Sequence, residues 1–131
     1  MVKKWITMIT LFVILIVGCV IETIYINKSF NWLINSLETL QIELKENKEN
    51  CDTDEIIYKV NQVHIEWDKK TRVLKCLIWH SGVKDVETGL ARVSIYVEEN
   101  DYKEAAAELA SLIDYCAHYL DDFHLSVENI F

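Results

Sequence analysis

Asp114, His118 and Asp122 recur at four-residue steps, and on a helix that spacing sets an imidazole between two carboxylates along one face. A divalent cation takes such donors, and Asp121, three residues before His124, adds another near them. The shell stays open, because the chain has no HExxH and no Glu-x-x-His pair from two helices to supply the remaining ligands. Charges paired along a solvated helix face are the expected role, so no metal and no cofactor is assigned. His64 stands within an apolar stripe, where a hydrogen-bonded core histidine is expected. His80 completes the four histidines of this 131-residue sequence.

Nucleophilic chemistry finds no better footing. There is no GxSxG, no glycine loop that would cradle phosphate, and no cysteine in a suggestive histidine context. Catalytic residues are therefore none, and a non-enzymatic protein is expected. The four cysteines, at 19, 51, 76 and 116, show no CxxC or zinc-like spacing, and nothing in it selects a disulfide pair. Cys76 and Cys116 fall in helical stretches and are expected to be small buried hydrophobes. Cys51 sits in a polar loop and is expected to be exposed. Among the tryptophans, Trp67 reads as core and Trp5 as an interface anchor. Trp32 and Trp79 remain open as stacking platforms for a sugar or peptide.

These side chains must be positioned by elements, and the first decides where the rest reside. Trp5 to Ile21 is uncharged and apolar apart from Thr7, Thr10 and Gly18. A helix rises about 1.5 Å per residue and the hydrocarbon core is about 30 Å thick, so a span takes about twenty residues. The run reaches that length by continuing past Glu22 through Ile26. Leu11 and Ile16 then lie in its middle, with Trp5 and Tyr25 at the two water boundaries. Lys3 and Lys4 favour a cytoplasmic amino terminus, which places everything after Asn27 outside the cytoplasm.

A cleaved secretory signal is a rival, although Val17-Gly18-Cys19 makes a poor cleavage site. Ile16-Val17-Gly18-Cys19 also fits a lipobox, in which Cys19 would be lipidated and become the first residue. Mature lipoproteins continue into a polar tether, whereas Val20 to Ile26 stays mostly apolar, so the uncleaved helix is preferred. The division expected is a transmembrane anchor over 1–27 and an extracytoplasmic helical bundle over 28–131.

The chain has no proline and only three glycines, which suits an all-α fold and would be unusual for a β-rich one. The net charge is −8; the first 26 residues contribute +1, Lys3 and Lys4 against Glu22, so the remainder carries −9. Such a domain repels phosphate backbones and anionic head groups, and nucleic acid is not an expected partner. The bilayer, through residues 5–26, and another membrane protein are.

Asn27-Lys28-Ser29 interrupts the apolar run, and Ser29 would cap a new helix unless the first simply continues. Phe30, Leu33, Ile34, Leu37, Leu40 and Leu44 then keep one apolar face to about Glu46, followed by a loop over 46–52. Asp52-Thr53-Asp54-Glu55 has the form of a capping box. It opens a helix whose stripe is Ile57, Val60, His64, Trp67, Thr71, Leu74 and Ile78, flanked by Ile56, Val63 and Leu77. Trp79-His80-Ser81-Gly82 is expected to end it. Val83, Val86, Leu90, Val93 and Val97 mark the next helix, which stops near Asn100. Asp101-Tyr102-Lys103-Glu104 is a second capping box, opening a helix with Ala105, Ala106, Leu109, Leu112, Ile113, Cys116, Tyr119, Leu120 and Phe123 on one face. The turn before it resembles that of a tetratricopeptide unit without the repeat's signature, so an ordinary antiparallel pair is expected. The tail from Leu125 to Phe131 ends apolar and is expected to fold back on a core. About four helices come after the anchor on this reading.

His80 to Val93, Asp101 to Ala110 and the ending Glu128-Asn129-Ile130-Phe131 resemble domain of unknown function 4363, a bacterial family prominent in clostridia. The family's pattern often has an acidic residue two positions after the histidine, where Gly82 stands here. The resemblance implies an amino-terminal membrane helix with roughly a hundred helical residues, no assigned activity, and genes neighbouring another small membrane protein. Residues and resemblance together lead to an accessory or interaction module at the outer face of the cytoplasmic membrane of a Gram-positive bacterium. An envelope module binding a cation or small ligand is the alternative.

Overall fold

A computed structural model describes residues 1–77 and 80–130. The fold is all-α: α1 (Val2–Glu46), α2 (Asp54–Leu77), α3 (His80–Glu98) and α4 (Tyr102–Ile130). The apolar N-terminal segment and the first bundle helix are one element of 45 residues, about 70 Å long at the usual helical rise. Of the two readings of Asn27-Lys28-Ser29, a new cap or a continuing helix, the structure has the continuing helix. None of the three is proline or glycine, and Ile26, Phe30, Leu33 and Leu37 carry the apolar stripe straight through. Ser29 is buried within the helix and caps nothing.

The lower part of α1 and the other three helices close into a four-cornered bundle. α1 packs on α2 and α4, α3 packs on the same two, and the diagonal pairs do not meet among the described residues. Neighbours are antiparallel: Lys59 of α2 meets Glu43 of α1 while Tyr25 reaches Lys70, and Gly82 faces Tyr119 while Arg92 pairs with Glu108. This is the up-down-up-down arrangement that short connections allow, and it excludes an open repeat stack. Most residues of the stripes read from the sequence form the core, although Ile57 and His64 of the α2 stripe are only half-buried. Val60, Trp67, Thr71 and Leu74 of α2, Val83, Val86, Leu90, Val93 and Val97 of α3, and Ala105, Leu109, Leu112, Cys116 and Leu120 of α4 are buried. Ile78 lies outside the described residues. Phe30 sets its ring edge on Trp67 at 5.3 Å and stacks on Tyr119 at 4.6 Å. Aromatic contacts therefore tie three helices together where the bundle begins.

The caps differ in detail. At α2 the capping residue is Thr53, one position later than the expected Asp52; its hydroxyl accepts the Ile56 N–H at 3.4 Å. At α4 Asp101 behaves as its box requires, accepting the Glu104 N–H at 3.2 Å. Asn100 closes α3 with φ of 56°, a left-handed conformation that asparagine tolerates better than most residues. Its side-chain oxygen accepts the Cys51 N–H at 2.9 Å, and its amide donates to the Glu49 carbonyl at 3.2 Å. The two far loops are thus joined through one side chain.

Gly82 does not end α2. It lies in the first turn of α3, where a Cβ would stand 2.8 Å from the Tyr119 ring. Gly89 lies in the middle of α3, and a Cβ there would press into Leu112, 2.8 Å from its Cγ. These glycines set how closely α3 and α4 approach. The tail expected to fold back instead continues α4 to Ile130 with Leu125 exposed, because nothing in 121–130 breaks a helix; Phe131 lies outside the described residues.

Gly89→Ala should lower stability by about 1–3 kcal/mol through overpacking, although alanine is intrinsically the better helix former. In a Leu112→Ala background, itself less stable, the same glycine substitution should cost less, as thermal unfolding of the detergent-solubilised chain would report; a stabilised single variant would contradict the close approach. Asn100→Gly keeps the left-handed backbone and loses the staple, so it should cost about 1 kcal/mol, with Asn100→Ala costing more because it also strains φ. Denaturant melts that rank alanine above glycine would remove the backbone argument.

Candidate functional site

The last helix brings His118 and Asp114 together as its spacing requires. The Nδ1–H of His118 donates to the Asp114 carbonyl at 2.8 Å and lies 3.4 Å from its carboxylate, with both side chains about three-quarters exposed. The carbonyl hydrogen bond, then the Asp114 charge, and then Asp121 and Asp122 raise the imidazole above its ordinary 6.5. Asp122 continues the same face without completing a shell: among the described residues no three His, Cys, Asp or Glu side chains converge to hold a metal. The ring nitrogen facing Asp114 is already engaged with the backbone, and the arrangement is that of a charged helix surface.

The cysteines fall otherwise than their surroundings in the sequence suggest. Cys51 is fully buried, because Asn100 reaches over it and accepts from both its N–H and its Sγ, the latter at 3.3 Å. Burial raises its thiol. Cys76 is exposed, since the α2 stripe passes through Thr71 and Leu74 and turns residue 76 outward. Cys116 is buried as expected, its thiol pushed up to about 12 by desolvation. All four are free thiols, and Cys19 lies exposed on α1.

Trp67 is core, with no exposed surface. Trp32 packs half-buried against the core with the Lys70 ammonium 4.9 Å over its ring, so a cation already occupies the platform. Trp79 and the side chain of His80 lie outside the described residues. His64 is half-buried and lines a shallow recess with Asn61, Ile65 and Asp68.

One polar groove of about 310 Å³ runs between α3 and α4, lined by Asp85, Thr88, Arg92, Glu108 and Tyr115 among others. Sequence reasoning missed it because Asp85 and Tyr115 stand 30 residues apart; only the glycine-mediated approach of the two helices joins them. The Tyr115 hydroxyl donates to Asp85 at 3.3 Å, and Arg92 lies 3.6 Å from Glu108. Burial and then the Asp85 charge push the phenol up to about 12, so near neutrality it stays protonated and acts as a hydrogen-bond donor rather than a base.

The most distinctive surface is the upper part of α1. Trp5, Phe12 and Leu15 are more than 60% exposed, and Leu11 stands at 57% and Ile16 at 38%. This one helix is long and apolar enough to cross a membrane. Its hydroxyls are satisfied within the rod: Thr7, Thr10 and Thr23 each donate to the carbonyl four residues earlier. Tyr25, assigned to the outer water boundary, is half-buried against the bundle, its hydroxyl donating to the Lys70 carbonyl at 3.5 Å.

The family model described as "Domain of unknown function (DUF4363)" matches residues 20–130. No curated relative and no solved structure matches the chain.

His118 is raised in the folded chain, so any stability it adds is present below pH about 6.5 and is lost as pH rises through its folded value. An NMR titration should place its midpoint above 6.5 and show a downward shift in Asp114→Asn. A midpoint that ignores Asp114 would contradict the pairing.

Proposed function

The chain belongs to the Domain of unknown function (DUF4363) family, and from its architecture we propose a non-enzymatic, single-pass membrane protein that holds its bundle on the outer face of a Gram-positive cytoplasmic membrane as an interaction module for another membrane protein. The observation that carries this is the continuity of α1. One rod of 45 residues exposes its upper part and buries its lower part in the bundle core, so no flexible linker separates anchor from module. Retention of the anchor is favoured over lipidation at Cys19, because Val20 to Ile26 stays mostly apolar where a lipoprotein would have a polar tether. The two lysines before the span favour the outward placement. A protein partner is favoured by the outer face of α2, where Tyr58, Ile65 and Val73 are exposed at close to heptad spacing on a helix whose opposite face already fills the core.

A Glu99→Cys, Cys19→Ser, Cys76→Ser chain expressed in cells should react with a membrane-impermeant maleimide before lysis, since residue 99 is exposed at the far turn and the remaining Cys51 and Cys116 are buried. Protection until lysis would overturn the outward placement. Crosslinking in native membranes should recover a second membrane protein, lost on Tyr58→Asp with Ile65→Asp. Recovery of the chain alone would overturn the interaction role.

A further inference from the structure

The −9 of the bundle is distributed unevenly along its axis. Residues 43–59 and 95–108, at the end farthest from the apolar segment, hold eleven carboxylates against four lysines. At the near end, residues 66–75 of α2 hold Lys69, Lys70, Arg72 and Lys75 against two carboxylates. Because α2 runs antiparallel to α1 and the Lys70 carbonyl meets the Tyr25 hydroxyl, the residues of α2 beyond Lys70 stand level with the part of α1 that precedes Tyr25. That part is the apolar segment.

The cations there are available. Lys69 pairs with Glu66 at 2.7 Å, Arg72 with Asp68 at 3.7 Å and Lys75 with Glu87 at 3.2 Å, the three cationic side chains being 62%, 77% and 45% exposed. Solvent-exposed pairs of this kind are weak and exchange readily with other anions. Lys70 is turned back onto Trp32 and braces α2 against α1. Of the other carboxylates at this end, Asp121, Asp122 and Glu128 belong to α4, which is diagonal to α2, while Glu22 of α1 and Asp85 and Glu87 of α3 stand on its neighbours, Asp85 accepting the Tyr115 hydroxyl and Glu87 facing Lys75.

We propose that Lys69, Arg72 and Lys75 form a docking corner for the phosphates of anionic phospholipids in the leaflet from which the bundle rises. The acidic far end is repelled by the same leaflet, and attraction at one end with repulsion at the other holds the bundle upright with its α2 corner on the head groups. This inference rests on the reading of α1 as a membrane span.

The test uses the full chain in nanodiscs of phosphatidylcholine, alone or mixed equally with phosphatidylglycerol, with lysine acylation followed by mass spectrometry. Lys69 and Lys75 should acylate roughly fivefold more slowly in the anionic discs. Lys48 and Lys103 at the far end should be unchanged, and the protection should vanish in about 1 M salt, where screening acts over roughly 3 Å. Equal rates in both discs overturn the docking corner, as does protection that persists in salt or is already complete in phosphatidylcholine. A chain that elutes apart from the discs overturns the span and the docking corner together, whereas an inserted chain with unprotected lysines overturns the corner alone.

Discussion

A helix satisfies its own backbone hydrogen bonds wherever it runs, in lipid or in a protein core. α1 runs without interruption from a stretch apolar enough for lipid into the core of the bundle. Its stripe passes from uncovered apolar residues to Ile26, Phe30 and Leu33, which are fully buried. The rest of the structure depends on this continuity. Phe30 stacks Tyr119 and meets Trp67, so α2 and α4 are fastened to the rod that carries the apolar segment. Tyr25 closes the joint from above through Lys70. A flexible hinge at residues 27–29 would have left the bundle free to tumble; the unbroken rod gives it an orientation.

That orientation gives the charges meaning. Summed along the chain, they describe an acidic domain that an anionic surface repels. Folding sorts them, because the antiparallel path sends the carboxylate-rich connections at 46–55 and 98–104 to one end and the lysine-rich close of α2 to the other. The polar groove between α3 and α4 arises from the same packing. Gly82 and Gly89 let the helices approach, and Asp85 meets Tyr115 across the seam. Its ionisable groups are paired or desolvated, which suits a surface that holds shape more than one that moves protons.

The apolar stripes were readable because burial on a helix repeats every three or four residues: all five residues so identified on α3 and five of the nine on α4 are buried, with Ile113, Tyr119 and Phe123 packed against them half-buried. The cap at Asp101 was readable for the same local reason. Cys51 was not: a polar neighbourhood in sequence predicts exposure, but Asn100, 49 residues away, covers it. Cys76 departs from expectation in the other direction, since membership of a helix does not say which face a residue takes. Gly82 looked like a terminator and proved to be a packing contact, because the neighbour that requires its missing side chain, Tyr119, belongs to another helix. The set Asp114, His118 and Asp122 kept its helical register but acquired no further ligands from neighbouring helices among the described residues.

By itself the sequence determined the helical class, most of the helix faces and a segment apolar enough to cross a membrane. Those depend on composition and on periodicity within a single element, interactions that reach four residues at most. The tertiary structure alone decided that the apolar segment and the bundle share one rod, that Cys51 is covered and Cys76 is not, where two glycines admit a neighbouring helix, and that the carboxylate-rich turns and the basic close of α2 lie at opposite ends. Each of these depends on contacts between residues tens of positions apart, whose pairing is set by how four stripes close around a common core.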